Sequence, residues 1–203
     1  MIAAVVLAAG ESSRLGRPKQ LVAFGGRSLL RGAAEAAFGA GCTPVVIVLG
    51  AQAEQVRQEV ASPEFRAVVN PAWREGMSTS IRAGIAELDA VAEGIEAVVL
   101  AGCDQPDLSA DVLRRLIEAY RGRQDLTATM AACAYDGVLG VPALFAREEF
   151  GRLVALEGDR GARDLLRDRA ERVVRVSWPQ GARDVDTPED LPGPACGDSD
   201  AAL

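Results

Sequence analysis

The chain has 203 residues, a formal charge of −7, 49% hydrophobic and only 4% aromatic residues, the profile of a globular protein of one domain or two small ones. It has no His, and its 22 basic residues are 21 Arg and a single Lys, Lys19. Ser-His-Asp and Cys-His nucleophile systems, His-ligated zinc and an imidazole general base are therefore excluded, and the acidic balance argues against general nucleic-acid binding.

In chain order, Ile2 to Ala8 is a short unbroken apolar run without a basic flank. It reads as a buried strand rather than a signal peptide. Ser28 to Gly39 is an Ala- and Leu-rich helix, Pro44 to Leu49 a strand and Gln52 to Val60 a helix. Phe65 to Val69 is a short strand, Ser78 to Leu88 a helix and Glu96 to Ala101 a strand. Ser109 to Tyr120 is a helix with Ser109 as N-cap and Asp111 in its first turn. Unbroken apolar strands alternating with helices indicate an α/β fold, a mostly parallel sheet covered on both faces.

Beyond Tyr120 the rhythm changes. Leu126 to Ala134 is a long strand candidate, and Gly140 to Phe145 an apolar run containing Pro142. Helices follow at Arg147 to Leu153 and Ala162 to Arg169, then a strand at Val173 to Ser177. Residues 1–191 read as a single domain, and the Pro-, Gly-, Ala- and Asp-rich stretch 192–203 as a disordered tail. No stretch approaches the roughly 20 apolar residues that span a bilayer. Cys42, Cys103, Cys133 and Cys196 are widely spaced with no C-x-x-C, the pattern of reduced thiols in a cytoplasmic protein.

Five segments carry candidate chemistry. The first is Leu7-Ala8-Ala9-Gly10-Glu11-Ser12-Ser13-Arg14-Leu15-Gly16-Arg17-Pro18-Lys19. Small residues at a strand's carboxyl end let backbone N–H groups approach a phosphate, and Arg14, Arg17 and Lys19 supply the charge to offset a triphosphate. The spacing is neither that of a P-loop nor that of a dinucleotide fingerprint. In the second, Val98 to Leu100 deliver Asp104 through Ala101-Gly102-Cys103 to the same sheet edge, where a carboxylate suits Mg²⁺. In the third, Thr187, Pro188 and Asp190 read as a capping box, which leaves Asp184 and Asp186 free for a metal. The fourth, Asn70 to Arg82, offers an amide and hydroxyls to a base or ribose, with helix capping by Ser78 as the competing explanation. The fifth, Glu157 to Arg163, is a substrate loop or a solvated helix entry.

At these residues the chain resembles the MobA-like nucleotidyltransferases. The resemblance rests on L-A-A-G-x-S-x-R-x-G-x-P-K, Gly102-Cys103-Asp104-Gln105-Pro106, Gly158-Asp159-Arg160-Gly161-Ala162-Arg163 and Asp184-Val185-Asp186-Thr187-Pro188, and it covers residues 2 to 191. The branch it is most similar to is the molybdenum cofactor cytidylyltransferases. The resemblance implies a three-layer α/β/α fold with a Rossmann-like sheet, of the nucleotide-diphospho-sugar transferase type. It implies Mg²⁺-dependent transfer of a nucleoside monophosphate from an NTP to the terminal phosphate of molybdopterin, with pyrophosphate released and a molybdoenzyme as possible recipient. On this basis Leu7, Ala8, Ala9, Gly10 and Arg14 hold the triphosphate and Lys19 meets the phosphates undergoing transfer. Asp104 and Asp186 hold the metal, and Asn70, Ser78 and Ser80 face the nucleoside. Ala9 in place of Gly favours CTP over GTP. Val141 departs from the pattern, since the branch often has His or Asn before that proline.

The expected chemistry is in-line attack by an acceptor phosphate oxygen on the α-phosphorus. A phosphate is already anionic at neutral pH, its second pKa being about 6, so no general base is required. The alternatives are a GTP-using cofactor guanylyltransferase, transfer to another phosphorylated acceptor such as a sugar 1-phosphate or a small phospho-acid, and non-catalytic nucleotide or cofactor binding beside a molybdoenzyme.

Overall fold

The computed structural model describes residues 1–191, so the tail expected at 192–203, with Cys196, lies outside the described residues. Ile2–Ala8 forms β1, which alternates its side chains between two layers of helices. On one face Ile2, Ala4, Val6 and Ala8 pack with Leu30, Ala33, Ala34 and Ala37 of α1 (Leu29–Gly39) and Leu113 and Leu116 of α4 (Ala110–Arg121). On the other, Ala3 and Val5 pack with Ile81, Ile85 and Leu88 of α3 (Met77–Val91). A period-2 strand buried on both sides explains why this sequence is apolar without interruption.

The sheet has seven strands. In spatial order they are β5 (Phe65–Val69), β4 (Val45–Leu49), β1, β6 (Ala97–Gly102), β8 (Val138–Ala146), β7 (Met130–Tyr135) and β9 (Val173–Ser177). Only β8 runs antiparallel to its neighbours. The short helices α5 (Phe150–Val154) and α6 (Ala162–Asp168) join α3 in one layer. The two-residue strands β2 (Ala23–Phe24) and β3 (Arg27–Ser28) make a separate hairpin, and α2 (Ala53–Arg57) follows β4. This is the expected three-layer, mostly parallel α/β/α architecture.

Close packing of α3 on β1 depends on Gly84. A Cβ at that position would lie 2.5 Å from Val5 Cγ1. Chain order also fixes where a ligand can sit. From β1 the sheet grows to β4 on one side and to β6 on the other, so the carboxyl ends of β1 and β6 flank a topological switch point, where open α/β sheets bind ligands.

Local chemistry explains the departures from expectation. The strand expected from Leu126 begins at Met130, because Asp125 accepts hydrogen bonds from the Thr127 N–H and hydroxyl at 2.9 and 2.7 Å and holds a turn there. Pro142 is tolerated inside β8 because the ladder jumps from Ala132↔Ala143 to Cys133↔Gly140, leaving the proline in a bulge. Ser28 caps α1 by accepting from the Arg31 N–H at 3.2 Å, whereas Ser109 stands at the α4 N-cap without a side-chain bond. Ser78 is not a cap: α3 begins at Met77, and the Thr79 hydroxyl donates to Gly76 O at 2.9 Å instead. The helix expected at Gln52 to Val60 is α2 continued by a 3₁₀ turn at Gln58–Val60.

Candidate active site

Backbone register brings the first two motifs together. Leu7 of β1 pairs with Gly102 of β6, so Ala8–Gly10 and Cys103–Asp104 leave the sheet side by side. Gly102 leaves space for the carboxylate two residues on, since a Cβ there would lie 2.5 Å from Asp104 Oδ1. The third motif arrives from the C-terminal side. The Val185 N–H donates to Asp104 O at 2.8 Å, and Val185 is buried with Leu15, Val22 and Leu29. That small apolar cluster clamps the Gly10–Gln20 loop to the Asp184–Asp190 segment. The capping box forms as expected, with Asp190 accepting from the Thr187 N–H and hydroxyl, each at 2.8 Å.

The Gly10–Gln20 loop is held from inside. Gln20, 1% exposed, donates to both Ala8 O and Gly10 O at 2.9 Å. The Ser12 hydroxyl accepts from the Lys19 N–H at 3.0 Å. These bonds satisfy backbone groups that a tight loop would otherwise leave unpaired.

Lys19 lies at the centre. Its ammonium donates to Asp104 Oδ2 and Asp186 Oδ1, both at 2.8 Å. Arg14 reaches the other oxygen of Asp186 at 2.9 Å while remaining largely exposed. Burial opposes charge on Lys19, but Asp104 and Asp186 outweigh it and hold the amine above its ordinary value. The hydrogen bond from Lys19 lowers Asp186 in turn. Asp184 behaves differently: burial, then the charges of Asp104 and Asp186, push it up to about 6.

Over this cluster opens a cleft of about 600 Å³, walled by Leu7 to Glu11, Lys19, Gln20, Cys103 and Asp104 on one side and by Trp73, Arg74, Gly76, Met77, Ser80 and Asp159 on the other. Seven of the expected residues therefore line one space: Leu7, Ala8, Ala9, Gly10, Lys19, Ser80 and Asp104. Four expected residues, Asn70, Ser78, Arg14 and Asp186, are outside its lining, Asp186 being tied to the cluster through Lys19. Asn70 is 3% exposed, and its amide donates to the Thr79 and Ser80 hydroxyls at 2.8 and 3.1 Å, so it positions Ser80 from beneath. Ser78 is buried with its hydroxyl unpartnered. Arg14 acts on the cluster through Asp186. Sequence reasoning did not single out Gln20, Trp73, Arg74 or Met77 individually. Trp73, Arg74 and Met77 belong to the flagged Asn70–Arg82 segment, but no spacing rule marks which members of a loop face a cleft.

A second cleft of about 370 Å³ shares Leu7, Met77, Asp104 and Asp159 with the first, and is completed by Gln105, Val141, Arg163 and Asp184 among others. Val141 contributes its carbonyl rather than a polar side chain, accepting from Tyr135 Oη at 2.9 Å and Gln105 Nε2 at 3.1 Å. Two clefts meeting at Asp104, with Lys19 in the wall of the first, can hold two reactants end to end.

The donor set fits a hard divalent cation, because Asp104 and Asp186 already converge on one positive charge. Among the described residues no three His, Cys, Asp or Glu side chains surround a common point, so such an ion would take its remaining ligands from phosphate oxygens or water.

Known proteins resemble this chain in sequence and fold. Residues 4–173 match the MobA-like NTP transferase domain. The nicotine blue oxidoreductase of Paenarthrobacter nicotinovorans is 36% identical over 196 residues, covering 94% of each chain. The crystal structure of Rv0371c from Mycobacterium tuberculosis H37Rv superposes with a TM-score of 0.79 at 32% identity, over 93% of this chain and 94% of that one. A manganese complex of Rv0371c gives 0.75 at 30% identity, over 93% and 95%. The chain belongs to the MobA-like NTP transferase family, and its fold is that of the nucleotide-diphospho-sugar transferases.

Proposed function

From membership of this family we infer that the chain transfers a nucleoside monophosphate, with CTP the favoured donor, to the terminal phosphate of a molybdopterin-type acceptor. The observation that carries this reading is the Lys19–Asp104–Asp186 cluster, whose Asp104 lines both of two adjoining clefts. The first cleft, with the small residues Ala8, Ala9 and Gly10 in its wall, takes the NTP, and the second takes the acceptor. An acceptor phosphate oxygen attacks the α-phosphorus, the bond from that phosphorus to the bridging oxygen breaks, and pyrophosphate leaves.

Lys19 and Arg14 neutralise charge on the triphosphate and on the departing pyrophosphate. Lys suits the central position because its ammonium is a compact, movable point charge. Asp104 and Asp186 would hold Mg²⁺, which when bound supplies further neutralisation of phosphate charge. Ser80, braced by Asn70, faces the nucleoside. The histidine-free composition is compatible with this chemistry, since catalysis is positioning plus electrostatics.

The test is pyrophosphate release with CTP, GTP, ATP and UTP, each against molybdopterin. Release with CTP and molybdopterin alone supports the full reading. Release with another NTP or another phosphorylated acceptor retains the transferase and replaces its substrate.

A second reading is favoured by one relative's name. The P. nicotinovorans protein is called an oxidoreductase of nicotine blue, and here Trp73, with Arg74 stacked 4.2 Å from its ring centroid, offers the cleft a surface for a planar chromophore. Bleaching of nicotine blue by a reduced nicotinamide cofactor, without pyrophosphate release from any NTP, would establish that reading instead.

A further inference from the structure

On a chain of net charge −7, three arginines line one groove beside β7, β8 and β9. The groove has a volume of about 370 Å³ and is bounded by Arg163 and Arg167 of α6 and Arg175 of β9. Its floor is apolar, made by Ala134, Leu139 and Ala170 with Val138, which is 46% exposed. Arg163 also lines the second cleft, so the two spaces share a wall.

Among the described residues an ion pair offsets that charge only at Arg167. Arg167 pairs with Asp164 at 2.8 Å and reaches Asp168 at 3.6 Å. Arg163 and Arg175 make no ion pair among the described residues, the only side-chain bond of Arg163 being to Tyr135 Oη at 3.3 Å. Guanidiniums form bidentate, charge-assisted bonds with phosphate and carboxylate, and the apolar floor suits a group with a hydrophobic body.

We propose that this groove is a second anion site, holding a remote anionic, partly apolar portion of the acceptor whose reacting phosphate lies in the cleft beside Asp104. The proposal deepens the transferase reading and rests on it for the identity of the occupant. An acceptor spanning both spaces is long and carries at least two anionic groups. Arg163 bridges them, and Arg175 and Arg167 fix the distal one.

Phenyl phosphate, a dianion with an apolar body, probes the groove without turnover. In ¹⁵N-resolved NMR of the full chain, its titration is expected to shift the amides of Gly137, Val138 and Ala170 saturably. The Arg167→Gln/Arg175→Gln variant should weaken that response by about tenfold or more, the loss of one charge-assisted contact being enough for this. Lys19→Ala should leave it unchanged. Shifts confined to Gly10–Lys19, no saturable shift at Gly137 and Val138, or a response only to an Asp- and Glu-rich peptide would each overturn the proposal. Failure of pyrophosphate release with an intact groove titration would refute the transferase reading while leaving the anion site standing.

Discussion

The Lys19 ammonium lies 2.8 Å from Asp104 Oδ2 although 85 residues separate the two in the chain. The contact is made by register, since β1 and β6 are parallel neighbours with Leu7 opposite Gly102, and the loops beyond them converge. Because Lys19 is the only ammonium side chain in the protein, no neighbouring lysine can replace it. Lys19→Ala is expected to lower nucleotidyl transfer by about 10²- to 10³-fold, the usual cost of removing one preorganised electrostatic contact. Circular dichroism and the thermal midpoint check that the fold survives. Near-native turnover in a folded variant would refute the role.

The same contact makes Lys19 a rival of any cation for the two carboxylates. Its ammonium lies between Asp104 and Asp186, with Arg14 on the far oxygen of Asp186. Removing it leaves two carboxylates facing one another, and like charges at short range favour a counter-ion. Lys19→Met, which keeps most of the side-chain volume, is therefore expected to bind Mn²⁺ about tenfold more tightly than the native chain in the absence of nucleotide. Electron paramagnetic resonance of free Mn²⁺ measures this directly. Unchanged or weaker binding would show that the carboxylates do not form a cation site.

How much of this was legible in the sequence follows from the range of each interaction. The alternation of unbroken apolar runs with helices is a local property, and it located β1, β4, β5, β6 and β9 to within a residue or so. Leu126 misled because its strand-like neighbours are overridden by the Asp125 side chain, a competition that composition does not reveal. Lys19, Asp104 and Asp186 were legible as types, a lone cation and carboxylates after strands. Their convergence was legible only in outline, Asp104 from the shared sheet edge and Asp186 from the resemblance, because the contacts themselves depend on the register of β1 with β6 and on the Val185–Asp104 bond. Asn70 shows the reverse case. It reads as a ligand contact in the sequence, but its amide is consumed in holding Thr79 and Ser80.

Packing of α3 against β1 gives a test independent of chemistry. The absent side chain at Gly84 leaves room for Val5, and a methyl there would lie 2.5 Å from Val5 Cγ1 and 3.1 Å from Val48 Cγ2. The gain in helix propensity from Gly84→Ala is about 1 kcal/mol at most, whereas overpacking a tight core costs about 1–3 kcal/mol. The expected result is net destabilisation in urea unfolding. A net gain in stability would mean that α3 can move away from β1 freely.

Three buried thiols make stability fall at high pH, and the sign follows from their environment. Burial pushes Cys42, Cys103 and Cys133 up to about 12, against about 8.5 for an unfolded thiol. A group whose native pKa is raised contributes its full stabilisation below the unfolded value and loses it as pH climbs toward the native one. Between about pH 9 and 12 the unfolded chain sheds thiol protons that the native chain retains, so each thiol adds a slope of about −1.4 kcal/mol per pH unit. Cys42→Ala/Cys133→Ala, two positions away from the clefts, is expected to be less stable at pH 8 yet to lose stability less steeply from pH 9 to 11. Urea unfolding under reducing conditions at several pH values gives both slopes. Because Tyr135 and every other group that titrates in that range are common to both chains, the difference isolates the two thiols, and equal slopes would mean that water reaches them in the native state.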